Sequence, residues 1–234
     1  MCFALKIYTK DFKLHVVNYY SESKGKEHYS QFGQDLFVLN ILSGENSKTF
    51  VDVGGNHPIN CSNTYLLELN GWTGIAIEPQ EKLRRLWPSF RKTPCLNYVI
   101  GPEEKEIIFL ESDMGADGLS GIEGFNKCDN NKYKKILVQQ KKLNTVLTEN
   151  YIRKVDYLSI DVEGYEMNVL KSINFSTVDI RLISIENDLG FKWLPFIGEQ
   201  LGKELGDNKL RKFLKDLGYK HIARIMSDDF FYKE

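Results

Sequence analysis

Cysteine, proline and histidine are scarce in this 234-residue chain, and none is spaced for structural chemistry. The four cysteines, Cys2, Cys61, Cys95 and Cys128, form no Cys-x-x-Cys pair. That excludes a zinc ribbon and a disulfide-stapled scaffold, and leaves buried or idle thiols in a reducing compartment as the expectation. The four histidines include no His-Glu-x-x-His and no zinc-finger spacing. No apolar run reaches 18 residues, so no membrane span is expected. Charges at Lys6, Lys10 and Asp11 break the N-terminus too early for a signal peptide, which makes a cytoplasmic location the expectation. Charge of one sign is also missing: 31 basic residues face 32 acidic ones. No global positive field is available to hold nucleic acid or an anionic membrane. What remains is an ordinary globular composition, 42 % apolar and 27 % charged.

The chain carries no internal repeat and no low-complexity tract. Residues 1–28 read as an N-terminal appendage of two short strands, 3–8 and 14–20, and a loop. Residues 29–234 read as one domain. In that domain β-rich runs at 49–53, 74–78, 96–100, 106–111, 136–140, 156–160 and 181–186 alternate with helical spacings. Ser30 is expected to cap the first helix, Ser62 or Asn63 the second, and Pro88 to kink the third. Residues 219–226 and 230–232 read as a terminal strand pair. Residues 112–131, with four glycines, and the aromatic-rich 187–202 read as loops. Alternating strands and helices predict right-handed crossovers and a largely parallel sheet covered on both faces. Ligands of such sheets lie beyond the carboxyl ends of the strands, where strand order reverses.

The first such strand ends Asp52-Val53-Gly54-Gly55-Asn56. Adjacent glycines permit a sharp turn and close approach of a ligand. The third glycine of a dinucleotide fingerprint is replaced by Ile59, and no Gly-Lys-Ser/Thr follows, so a pyrophosphate cradle is disfavoured. The second strand ends Glu78-Pro79, with an acid where a ribose diol is gripped in such folds. A glycine turn and an acid without a phosphate site suit an adenosine-type ligand such as S-adenosylmethionine. A nicotinamide-dependent reductase is the rival enzyme reading.

The segments Tyr29-Ser30-Gln31-x-Gly33-Gln34-Asp35, Phe50-Val51-Asp52-Val53-Gly54-Gly55-Asn56-His57-Pro58, Gly71-Trp72-x-Gly74-Ile75, Ile77-Glu78-Pro79 and Leu158-Ser159-Ile160-Asp161-Val162-Glu163-Gly164-x-Glu166 resemble the FkbM-type methyltransferases. The likeness runs over about residues 29–190. It implies a Rossmann-like class I methyltransferase: a mostly parallel seven-stranded sheet, helices on both faces and a C-terminal antiparallel strand pair. It further implies S-adenosylmethionine as cofactor and O-methylation of a sugar or polyketide hydroxyl. Gly55 and His57-Pro58 depart from the usual family pattern. The resemblance places Asp52, Gly54, Gly55 and Asn56 on the methionine portion, Glu78 on the ribose and Ile100-Gly101 by the adenine. Gln31 and Asp35 are expected to close the site.

For the acceptor, Asp161 and Glu163 follow one strand, and Glu186-Asn187 follow the adjacent one. Acids converging there act as a general base or hold a divalent cation. The base candidates are Asp161 and Glu163 first, and His57 second. If a magnesium or manganese ion is held, its ligands are expected to be Asp161, Glu186 and Asn187, by analogy with other sugar O-methyltransferases. Asp161 also reads as a helix cap and a cofactor contact. Glu186, Asn187 and the loop residue Trp193 are candidates to hold a carbohydrate acceptor. The lysines at 132, 134, 135, 141 and 142 read as solvated protection of a strand. A binding module that kept the fold without catalysis is the non-enzyme alternative, and the sequence does not set the oligomeric state.

Overall fold

The computed structural model describes residues 5–8, 14–17, 27–44, 47–112, 120–125, 133–187 and 208–234. In chain order the elements are β1 (Leu5–Tyr8), β2 (Leu14–Val17), α1 (Gln34–Ile41), β3 (Thr49–Val53), α2 (Tyr65–Leu69), β4 (Thr73–Ile77), α3 (Glu81–Arg84) and α4 (Trp87–Phe90). Then come β5 (Cys95–Leu96), β6 (Val99–Ile100), β7 (Lys105–Ser112), β8 (Gly121–Ile122), β9 (Tyr133–Lys141) and α5 (Leu143–Glu149). The chain closes with β10 (Lys154–Ile160), α6 (Glu166–Lys171), β11 (Asp179–Glu186), α7 (Asn208–Asp216), β12 (Lys220–Ile225) and β13 (Asp228–Tyr232).

The fold is mixed α/β. Nine strands form one sheet in the order β2-β1-β12-β13-β11-β10-β3-β4-β5. From β11 to β5 the neighbours are parallel; β13, β12, β1 and β2 are each antiparallel to the strand before them. The expected sheet of seven strands is redrawn: the runs at 106–111 and 136–140 leave it and pair antiparallel in a second sheet, while β1 pairs with β12 and brings β2 with it. The expected strand 96–100 is in fact two. Asn97 Nδ2 donates to the carbonyls of Glu78 and Pro79. The chain leaves the main sheet after Leu96, and Val99–Ile100 joins a separate four-stranded sheet, β6-β9-β7-β8. Within that sheet Lys135 pairs with Glu123, and Lys141 with Glu149 on α5.

Period-two alternation explains how the main sheet is covered. Phe50, Tyr157 and Leu182 join a cluster with Phe37 and Val38 of α1, Leu42 just after it, and Leu67 of α2. Their neighbours Val51, Leu158 and Ile183 face the other way, onto Val146 of α5, Val169 of α6 and Leu214 of α7. Two short helices differ from expectation at their ends. The helix at α1 begins at Gln34 after a left-handed Gly33, so Ser30 is not the residue next to it, yet Ser30 Oγ accepts from the first-turn amide of Asp35 at 3.3 Å and donates to Asp35 Oδ1. In α2 it is Leu67 that is buried, while Leu69 is 57 % exposed. Ser62 Oγ does serve that helix, accepting from Tyr65 N at 3.1 Å. Pro88 opens α4 rather than bending one long helix. Strand order reverses between β3 and β10, so the site is sought beyond Val53 and Ile160.

Candidate active site

At the end of β3, Gly54 N and Gly55 N both donate to Ile77 O, at 3.0 and 3.1 Å. Gly54 has φ +88°, and a Cβ there would lie 1.8 Å from Asp161 O; one on Gly55 would press on the Trp87 ring at 2.9 Å. Packing of the chain on itself, against the end of β10 and α4, demands these glycines. Asn56 follows with φ +43°, and its carbonyl accepts from Trp87 Nε1 at 3.1 Å.

Glu78 is buried at the end of β4. Its Oε2 accepts from Asn56 N at 2.8 Å and its Oε1 from Gln80 N at 2.7 Å. Burial pushes its carboxyl up to about 7, against the pull of those hydrogen bonds. Two amide oxygens beside it, Asn56 Oδ1 and Gln80 Oε1, are sealed from solvent and have no hydrogen-bond partner among the described residues. An unsatisfied buried acceptor costs about 1–3 kcal/mol, so this cradle calls for a ligand rich in donors. A ribose fits that demand.

Asp52 lies on the α1–α2 side of the sheet and is buried. Its Oδ2 accepts from Thr64 Oγ1 at 2.6 Å, and burial raises its carboxyl against the pull of Thr64 and Arg91. Arg91, also buried, donates to Pro58 O, Ser62 Oγ and both oxygens of Thr64, and pairs with Glu68 at 2.7 Å. It thereby straps down the whole 58–68 segment. On the same side Asn63 Nδ2 donates to Ser159 Oγ at 3.2 Å. His57 Nδ1 accepts from the amides of Ile59 and Asn60, so one ring nitrogen is committed to its own turn. Partial burial lowers its pKa.

Beyond β10 and β11, one carboxylate oxygen from each of Asp161, Glu163 and Glu186 lies within 4.8 Å of the others. Desolvation by the surrounding protein, then the charges of Glu186, Glu163, Asp228 and Glu166, hold the Asp161 carboxyl well above the usual range. Asp161 nevertheless reaches solvent, so repulsion by the neighbouring carboxylates is the stronger cause. Glu163 has φ +57° and Gly164 φ +103°; Gly164 N donates to Glu166 Oε1 at 2.8 Å. Phe125 stacks edge-on against Tyr165 at 4.6 Å, which puts an exposed aromatic ring beside this turn.

Several sequence-predicted residues take other places. Asn187 is buried, and its Nδ2 donates to Asp229 at 2.6 Å, so the third group of the acidic trio is Glu163. Asp35 is fully buried and accepts from Tyr29 N, Ser30 N, Ser30 Oγ and Leu36 N; it knits the segment before α1 together. Gln31 is exposed. Ile100 is part of the main core, and a Cβ on Gly101 would meet Gln140 Oε1 at 2.5 Å, so both serve packing here. Trp193 lies outside the described residues.

Other residues of the site were not singled out from sequence. Gln80 is one, because burial of a loop glutamine has no sequence signal. Asp228, opposite Glu186 in the β11–β13 register, accepts from Gln34 Nε2 at 2.8 Å. Burial pushes its carboxyl up to about 6. The acid pair Asp228-Asp229 between two strands was the available hint.

A mixed sheet with its polar residues gathered beyond the parallel strand ends, at the reversal of strand order, is consistent with a methyltransferase-type α/β fold. The chain belongs to the FkbM methyltransferase domain family, which it matches over residues 52–221. No curated protein and no solved structure matches it. Methyltransferases of this family generally take their methyl group from S-adenosylmethionine. Among the described residues, no helix is long and apolar enough to cross a membrane.

Proposed function

We propose that the chain is an S-adenosylmethionine-dependent O-methyltransferase acting on a hydroxyl of a carbohydrate. The observation that carries this reading is the carboxylate trio Asp161, Glu163 and Glu186, set beyond the same carboxyl-terminal edge of the parallel strands as the Glu78 cradle. Glu78, with Asn56, would hold the ribose, and the Gly54-Gly55 turn would face the methionine portion. S-adenosylmethionine supplies an electrophilic methyl carbon on a sulfonium. The protein's task is to align the acceptor oxygen with that carbon and to take its proton. As the oxygen–carbon bond forms, the carbon–sulfur bond breaks and its electron pair stays on sulfur. The acceptor's proton goes to a carboxylate of the trio. Asp161 suits this because crowding by like charges raises its proton affinity above that of an ordinary carboxylate. Phe125 offers an apolar face of the kind that packs on a sugar ring.

The test is direct. Purified protein is incubated with methyl-labelled S-adenosylmethionine and a panel of glycans and small polyhydroxyl compounds, and the products are read by mass spectrometry. A labelled methyl ether on a sugar is the expected result. Transfer only to non-sugar hydroxyls would keep the reaction and replace the substrate. Calorimetric binding of NADH without binding of S-adenosylhomocysteine would overturn the cofactor.

A further inference from the structure

Two residues brace the Glu78 carboxylate. Asn56 and Gln80 each spend a backbone amide on the Glu78 carboxylate, and the Gln80 side chain hydrogen-bonds it as well. What is left over is one unpartnered side-chain oxygen on each residue, Asn56 Oδ1 and Gln80 Oε1. Gln80 is 5 % exposed, and its carbonyl anchors the first turn of α3 through Leu83 N and Arg84 N. Asn56 is pinned from its other side by Trp87. The backbone that carries both side chains is therefore held in place before any ligand arrives, which lowers the ordering cost of binding. Their chemistry is also specific. Asp52 already repels Glu78, and a second carboxylate at position 56 or 80 would add to that repulsion. An amide adds an acceptor without adding charge. The complement of a carboxylate flanked by two neutral acceptors is a vicinal diol, whose two O–H donors need separate acceptors.

We propose that Gln80, through Oε1, and Asn56, through Oδ1, accept the ribose hydroxyls of the cofactor beside Glu78 and select a riboside over its deoxy forms. The proposal rests on the S-adenosylmethionine reading above. Gln80 is thus a specificity-determining residue of the cofactor site, and Asn56 is assigned to the ribose rather than to the methionine portion.

Calorimetry with S-adenosylhomocysteine and its 2′-deoxy and 3′-deoxy analogues tests this on the full chain. In the unmodified protein, at least one analogue should bind about 10-fold or more weakly, because its missing donor leaves a buried acceptor unpaired. In Gln80→Met that discrimination should shrink to about 3-fold or less, with S-adenosylhomocysteine itself weakened. Asn56→Gly removes the other oxygen while keeping the positive φ, and should erase discrimination at the remaining hydroxyl. Equal binding of all three compounds by the unmodified protein would overturn the proposal without any variant. So would a folded Gln80→Met that discriminates as before. If the unmodified protein binds S-adenosylhomocysteine, either failure strikes the role of Gln80 and Asn56 alone; if it does not bind, the cofactor reading falls too.

Discussion

The backbone amide of Asn56 donates to Glu78 Oε2 at 2.8 Å, joining the turn after one parallel strand to the end of the next. That single bond couples the glycine turn to the buried acid, so the protonation state of Glu78 is felt at the turn. Asp52, Cys95, Arg84 and Arg91 are the other titratable groups facing this region.

Binding of S-adenosylhomocysteine should therefore depend on pH. Glu78 has a folded pKa of about 7 against an ordinary value of 4.5. Diol donors favour the ionised carboxylate, so affinity should rise as pH increases from 6 to 8, with proton release near neutrality. Stability of the free protein runs the other way. Between the two pKa values the folded state binds more protons than the unfolded one, so stability is lost as pH rises through about 7, by about 3 kcal/mol at most. Glu78→Gln should flatten both profiles. Calorimetry in buffers of different ionisation enthalpy checks the first, and denaturant titration against pH the second. A pH-independent affinity in the unmodified protein would remove Glu78 from the cofactor.

Arg91 should be among the least replaceable residues outside the site. Its guanidinium is buried against the Trp87 ring at 4.5 Å and pairs with Glu68. Arg91→Met leaves Glu68 with an uncompensated charge and should cost about 3–5 kcal/mol in urea unfolding. The double variant with Glu68→Gln should recover part of that loss, since the two residues share one network. Additive losses would mean that Arg91 acts by packing alone.

Much of this architecture can be read from the chain, and the exceptions share a cause. The strand 49–53 has the bounds expected from its β-branched run, and the acids at 78, 161 and 186 all stand at strand ends as their positions suggest. Legibility fails where a side chain's direction depends on a distant partner. Asn187 turns toward Asp229, 42 residues away. Asp35 belongs to a motif that looks catalytic, yet four local donors surround it. Leu96–Ile100 has the apolar content of one strand, but the side chain of Asn97 ties down the end of β4 and divides it. Gln80 carries no periodic or charge signal at all; only its burial reveals an oxygen without a donor.

The acidic mouth should work as a base. Asp161→Asn keeps the shape and removes the proton acceptor, so turnover should fall by about 10²–10⁴-fold while S-adenosylhomocysteine affinity changes little. Glu163→Gln and Glu186→Gln should fall less, and should lower the apparent pKa of the pH–rate profile by relieving repulsion on Asp161. Three carboxylate oxygens within 4.8 Å of one another are also close enough to hold a cation, so a chelator separates the two roles: with a carboxylate as base, turnover should stay unchanged. Loss of activity with chelator and its recovery with magnesium would replace the base by a metal-activated hydroxyl. Full activity of both Asp161→Asn and Glu163→Gln would return Asp161 to a structural role.

Glu163 should show a conflict between stability and function. It holds φ +57°, a conformation that costs a non-glycine residue about 1 kcal/mol or more, and its charge adds to the repulsion on Asp161. Glycine adopts this φ freely; against that stand its greater freedom in the unfolded chain, about 0.4–1 kcal/mol, and the loss of the side chain's own interactions. Glu163→Gly should therefore fold as stably as the parent or more so, by up to about 1 kcal/mol, and yet turn over more slowly. Glu163→Gln separates the two causes, since it keeps the strained backbone and loses only the charge. Thermal unfolding and turnover measured on the same preparations decide the matter. A Glu163→Gly variant that is markedly less stable would show that the Glu163 side chain supports the turn rather than straining it.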